Sequence, residues 1–206
     1  MMGFAVIVGA ALANQNLSGS VPNLIYGFAT GFMLTAASMA INDYYDREID
    51  AVNEPKRPIP SGVIKPKEAL ALALILTTIG FAAALANSYL TDLNSFYSFL
   101  DAAIAWIIFV AYTTVGKRSG LPGNFLVSAC VAMPLVYGSI AVVNTVKINS
   151  LIFVSMVFLS ITGREITKGI VDAKGDNMQN VQTLAVRYGE KAAAIAAALF
   201  YVSAVL

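Results

Sequence analysis

The sequence contains no histidine and a single cysteine, and only 12% of its 206 residues are charged. The first absence removes His-ligated zinc and haem, histidine general bases and Ser-His-Asp chemistry. The second removes any internal disulfide. Cys130 sits in an apolar run, where a packing role is the default. Soluble domains carry about 25% charged residues. Here the net charge is +1, which gives a nucleic-acid partner no electrostatic support. What is abundant is apolar surface: 58% hydrophobic residues and a mean hydropathy of +0.72. That is the composition of an integral membrane protein.

A helical span needs about 20 mainly apolar residues. Val21–Ile41, Ala69–Leu90, Phe96–Val115, Asn124–Val143 and Ser150–Gly163, the last running into a polar extension, meet or approach this length. Two shorter apolar pieces flank them, Met2–Ala13 and Ala192–Leu206. The expected fold is therefore all-α, a polytopic bundle of about seven helices in one transmembrane domain over residues 1–206. The short outer pieces are expected to be a first and a last helix that the sequence cuts. A signal peptide is the rival for the first, because "ALA" at Ala11–Ala13 resembles a cleavage site. No Lys or Arg precedes the apolar run, as a signal peptide requires.

The connecting segments sort by charge. Arg47, Lys56, Arg57, Lys65 and Lys67 follow the second apolar segment. Lys117 and Arg118 follow the fourth, and Arg164, Lys168, Lys174, Arg187 and Lys191 follow the sixth. Only Lys147 lies at the opposite ends. The positive-inside rule places the basic loops in the cytoplasm, so the protein is expected in the cell membrane as a multi-pass chain. Pro55, Pro58, Pro60 and Gly62 break the helix after the second segment. Gly116, Gly120, Pro122 and Gly123 punctuate the next cytoplasmic loop.

Two acidic clusters stand on this side. In "NDYYDREID", Asn42, Asp46 and Asp50 step by four, with Asp43 on the flank of the same stripe. In "REITKGIVDAKGD", Arg164, Lys168, Asp172 and Asp176 do the same. Residues four apart lie nearly above one another on a helix, where like charges cost a few tenths of a kcal/mol per pair. A bound cation would reverse that sign. Carboxylates and an amide oxygen are hard ligands that suit Mg²⁺ or Ca²⁺, and Mg²⁺ is typically held by few carboxylates plus substrate phosphates. Lys56, Arg57, Lys117, Arg118, Lys168 and Arg164 are the cations placed to meet phosphate oxygens. Together these groups describe a diphosphate site under an apolar bundle. A charged run after a span is ordinarily a solvated face; two matching stripes on one membrane side weaken that reading. Tyr44, Tyr45 and Tyr112 are interfacial aromatics by default.

At these residues the chain resembles the UbiA-type intramembrane prenyltransferases. "NDYYDREID" is similar to their N-x-x-x-D-x-x-x-D signature, and "NEPKRPIPSG" (Asn53–Gly62) to the loop after it. "DAKGD" (Asp172–Asp176) matches their second D-x-x-x-D motif. "YTTVGKRSGLPGN" (Tyr112–Asn124) and "TLAVRYGEKAA" (Thr183–Ala193) resemble the stretches between and after the motifs. The resemblance implies nine transmembrane helices around a lipid-open cavity, of which about seven are visible here. Within the family it points to archaeal enzymes that add a second geranylgeranyl chain to a glyceryl phosphate lipid. Their pattern commonly reads K-D-I-E-D-x-x-G-D, and here Gly169 and Val171 stand where acids are usual.

The resemblance assigns Asn42, Asp46, Asp50, Asp172 and Asp176 to Mg²⁺ and catalysis. Arg57, Lys56, Tyr112, Lys117, Arg118, Lys168, Arg164 and Asp43 become candidates for diphosphate and substrate contacts. The expected reaction breaks an allylic C–O bond with metal and cations stabilising the leaving diphosphate. A lipid hydroxyl, in this scheme geranylgeranylglyceryl phosphate, then attacks. An aromatic or tetrapyrrole acceptor is the alternative within the class. A transporter with a cytoplasmic acidic cation site is the alternative outside it, though it predicts charges at mid-membrane. Oligomeric state is not legible.

Overall fold

A computed structural model describes residues 2–91, 96–173 and 181–206. These residues are helical, with no strand among them. The order is α1 (Met2–Ala13), α2 (Val21–Asn53), α3 (Pro66–Tyr89), α4 (Tyr97–Thr114), α5 (Leu121–Val143), α6 (Ile148–Val171), a short α7 (Leu184–Tyr188) and α8 (Glu190–Ser203). Five helices, α2 to α6, are long and apolar enough to cross a membrane; α1 is shorter. The expected spans are all present, while α7 appears inside a segment read only as a motif.

Local chemistry sets the helix limits. Proline occupies the first turn of α2, α3 and α5, where its missing N–H costs nothing and its fixed φ favours the helix. At the start of α3 the Glu68 carboxylate accepts the Lys65 N–H at 2.8 Å. Asn144 ends α5 in the left-handed region, with φ 58°. Helix α2 runs 33 residues, about 50 Å at 1.5 Å per residue. A hydrocarbon core of about 30 Å is crossed by its apolar first two-thirds. The acidic last third therefore projects beyond it as helix until Pro55 and Pro58 stop it.

Helices in lipid gain little from hiding apolar surface and associate through small residues and interhelical hydrogen bonds. The bundle follows that rule. Helix α1 lies against α2 and α5, and a Cβ on Gly9 would stand 2.2 Å from the Leu135 carbonyl oxygen, one on Gly138 2.0 Å from that of Val6. The two backbones therefore touch. One buried cluster joins Val6, Ala84, Ala102, Tyr137 and Ala141; a second joins Ile166, Ala185, Ala193 and Ala197 where α6 meets α7 and α8. Buried hydroxyls tie helices directly: Ser128 and Thr162 at 2.8 Å, and Tyr137 to Thr30 at 3.2 Å. Large side chains such as Leu74, Ile75, Ile107 and Ile152 point outward, as a lipid-facing surface requires.

Candidate active site

The C-terminal ends of α2, α4 and α6 and the N-terminal end of α5 meet around one cavity of about 410 Å³. Helix α2 contributes Asn42, Asp46 and Asp50. Tyr112 ends α4, and Lys117 and Arg118 come from the 3-10 turn Gly116–Arg118 that follows it. Helix α6 and its cap contribute Glu165, Lys168, Gly169 and Asp172. Asn42, Asp46 and Asp50 of the first stripe and Lys168 and Asp172 of the second, more than 100 residues apart in sequence, thus face one space.

The geometry within it is specific. Asp46 Oδ2 accepts from Asn42 Nδ2 at 2.8 Å and from the Lys117 ammonium; Lys117 also donates to Asn42 Oδ1 at 3.3 Å. Arg57 reaches back from the Pro-rich loop to three carboxylates: Asp50 at 3.0 Å, Asp43 at 3.3 Å and Glu54 at 2.8 Å. The Glu54 hydrogen bond, aided by the charges of Asp50 and Asp43 against some desolvation, raises the Arg57 guanidinium above its usual value. Asp50 is buried. Each α2 carboxylate is therefore held by a cation, and among the described residues no three acids are placed to ligate one metal ion by themselves. Arg118 and Lys168 face the cavity without an ion pair among the described residues.

Gly120 positions one wall. Its φ is +69°, and a Cβ there would stand 2.1 Å from the Gln182 carbonyl oxygen. The glycine lets residues 181–183 pack against the start of α5, which brings Val181 and Thr183 to the cavity.

Several predicted site residues lie elsewhere. Lys56 is exposed and outside the cavity lining, although its neighbour Arg57 turns in. Arg164 is exposed and pairs with Glu165 at 3.0 Å instead of lining the cavity. Four residues advance a helix by about 400°, so a four-step stripe drifts about 40° per step. The inward face of α6 is accordingly Glu165, Lys168, Gly169 and Asp172, and Glu165 was not singled out from the sequence. Its signal was spacing: three before Lys168 and seven before Asp172. Asn124 and Thr183 also line the site unannounced. Asp43 touches the site through Arg57. Asp176 lies outside the described residues. Of the two positions where acids are usual, Gly169 faces the cavity, while Val171 is 81% exposed and points away.

A second, apolar cavity of about 90 Å³ lies directly below, toward the membrane interior. Ser38, Phe109 and Cys130 line it, each one helical turn from a lining residue of the polar cavity: Asn42, Tyr112 and Val127.

The UbiA prenyltransferase family model matches residues 2–206. The chain belongs to this family. It is 42% identical to the digeranylgeranylglyceryl phosphate synthase of Korarchaeum cryptofilum over 159 residues, 77% of this chain and 54% of that protein. It is 36% identical to the enzyme of the same name from Archaeoglobus fulgidus over 206 residues, all of this chain and 68% of that one. The chain thus spans about half to two-thirds of the curated relatives it matches. A solved digeranylgeranylglyceryl phosphate synthase structure superposes with a TM-score of 0.80 at 29% identity, covering 99% of this chain and 69% of that one. A UbiA homologue from Archaeoglobus fulgidus, solved with GPP and Mg²⁺, superposes equally well at 18% identity, covering 99% and 70%. As in other UbiA prenyltransferases, the chain is multi-pass and helical.

Proposed function

We propose that the cavity binds an isoprenoid diphosphate with Mg²⁺ and transfers its prenyl chain to the hydroxyl of a glyceryl phosphate lipid, as in archaeal ether-lipid synthesis. One observation carries the reading. A polar cavity with carboxylates and cations sits one helical turn above an apolar one on three helices at once. That arrangement matches an amphiphile with a diphosphate head and a hydrocarbon tail.

The donor set fits Mg²⁺. Asp46, Asp50 and Asn42 offer oxygen ligands, with Asp172 across the cavity. The metal, when bound, would neutralise charge building on the leaving diphosphate. Lys117 and Arg57 hold Asp46 and Asp50, and are free to turn to phosphate once those carboxylates are otherwise engaged. Arg118 and Lys168 are available to phosphate throughout. Tyr112 lines the polar cavity and Phe109, one turn away, the apolar one, where an aromatic face would stabilise positive charge on the allylic carbon. The apolar walls keep water from that carbon. The acceptor oxygen attacks it, and its proton leaves to solvent or to the diphosphate. A strong electrophile needs no fully formed alkoxide, consistent with a chain that has no histidine. The basic loops are read as cytoplasmic.

The test is reconstitution of the full-length protein carrying this chain with labelled geranylgeranyl diphosphate, Mg²⁺ and geranylgeranylglyceryl phosphate, beside aromatic acceptors. The expected result is a dialkyl ether lipid and released diphosphate, both lost with EDTA. Transfer only to aromatic acceptors would overturn the acceptor, and no diphosphate release with any acceptor would overturn the reaction.

A further inference from the structure

The polar cavity has an inner edge. On each helix one lining residue lies nearest the membrane interior: Asn42 on α2, Tyr112 on α4, Val127 on α5 and Glu165 on α6. Asp172 is seven residues farther along α6, about 10 Å toward the cytoplasmic end, and it is exposed. With the diphosphate among the outer carboxylates and cations and the hydrocarbon in the apolar bundle, the allylic carbon falls at this edge. The acceptor oxygen must meet that carbon here and give up its proton here.

Of these edge residues only Glu165 is suited to take it. An amide nitrogen has no free basic site, a phenol serves first as a donor, and valine has no polar atom. A carboxylate accepts and is an ordinary general base. Asp46, the next acid outward on α2, is already engaged by Asn42 and the Lys117 ammonium. Glu165 is held differently. Its partner is Arg164 at 3.0 Å, whose side chain is 66% exposed, while its own is only 14% exposed. The pairing uses Oε1, and Oε2 makes no hydrogen bond among the described residues. The carboxylate therefore has one oxygen on a solvated cation and one to spare. One turn along α6 stands Gly169, whose Cβ position meets only Thr183, at 3.5 Å. No side chain of α6 stands over the carboxylate on that face. Across the cavity, Tyr112 feels the charge of both Glu165 and Asp46, so α6 and α2 address the same edge from two sides.

We propose that Glu165 is the proton acceptor for the attacking hydroxyl. The allylic C–O bond of the donor breaks and its electron pair leaves with the diphosphate. A lone pair of the acceptor oxygen forms the new C–O bond. The hydroxyl proton passes to Glu165 Oε2 and from there to water on the Arg164 side. Nothing is oxidised or reduced. This rests on the prenyl-transfer reading above, and it adds a residue that neither four-step stripe contains.

The test separates bond cleavage from transfer. Full-length protein in proteoliposomes with Mg²⁺ is given geranylgeranyl diphosphate isotopically labelled at the bridging oxygen. Scrambling of the label into non-bridging positions reads C–O cleavage and return, which needs no acceptor. Ether formation with geranylgeranylglyceryl phosphate reads the step that loses the proton. In Glu165→Gln, transfer is expected to fall about 100-fold, the low end of general-base contributions, with scrambling within about twofold of wild type. Glu165→Asp keeps the carboxyl but withdraws it by one methylene. It should transfer at a rate between the two, again with scrambling unchanged, and it carries the test if Glu165→Gln does not fold. Transfer at the wild-type rate in both variants would overturn the proton acceptor and leave the reaction standing. Loss of scrambling together with transfer in the folded variants would assign Glu165 to the metal and diphosphate and also overturn it. Wild type that neither scrambles nor transfers would overturn the prenyl-transfer reading itself, and the proton acceptor with it.

Discussion

Asp46 accepts from both Asn42 and Lys117. Removing one electrostatic contact aimed at transition-state charge typically costs about 10²- to 10³-fold in turnover. Asp46→Asn keeps the shape and the hydrogen bond from Asn42 but removes the charge. Its turnover is expected to fall at least about 100-fold with an unchanged melting temperature in detergent. Near-wild-type product formation by that variant would rule out a metal-binding role. The controls come from the structure rather than the motif. Lys56→Ala and Arg164→Ala, both on the outside, should retain turnover within about twofold, because exposed charges contribute little. Lys168→Ala should raise the KM for the donor. Sequence spacing identified the stripe and missed its edge. Nothing in "PKRP" says that Arg57 turns toward Asp50 while Lys56 faces solvent, because that choice is made by the loop's path. On α6 the four-residue step is close to the helical repeat but not equal to it, so Arg164 rotates off the face that Glu165 occupies.

At the scale of elements, two glycine contacts decide how the helices and loops sit. Gly138 lets α5 touch the Val6 carbonyl of α1. An added methyl must separate the two helices, and overpacking of this kind costs about 1–3 kcal/mol. Gly138→Ala is expected to lower the thermal midpoint in detergent by several degrees. An unchanged midpoint would mean that the α1–α5 contact is looser than described. Gly120→Ala acts differently: its φ of +69° and the nearby Gln182 carbonyl both resist a side chain. The wall formed by residues 181–183 should shift, raising the donor KM more than it lowers kcat. Helix existence was legible because apolar length and prolines declare it. The long extension of α2 was legible because Asn42, Asp46 and Asp50 keep helical spacing up to the proline block. An apolar shelter was expected, but the residues that line it were not legible. Thr30, Asp101 and Tyr137 come from three helices, each looks like an isolated polar residue in an apolar run, and only packing brings them together.

For the molecule as a whole, charge and connectivity support the proposed orientation. The loops joining α2 to α3 and α4 to α5 carry basic residues, whereas those joining α1 to α2 and α5 to α6 carry only Lys147. The site residues all belong to the basic side. A basic excess in short loops is held in the cytoplasm during insertion; in the proposed orientation a cytosolic isoprenoid diphosphate would reach the cavity without its charge crossing lipid. Two exposed loop positions test this with a membrane-impermeant thiol reagent, after Cys130→Ser removes the one cysteine of these 206 residues. Ser61→Cys, in the α2–α3 loop, should label only in inverted vesicles. Asn16→Cys, before α2, should label only from outside intact cells. The reverse pattern would place the diphosphate site on the outer face and overturn the cytosolic donor. Labelling of both positions from one side would contradict a single crossing by α2, whose acidic end depends on that crossing to meet α6.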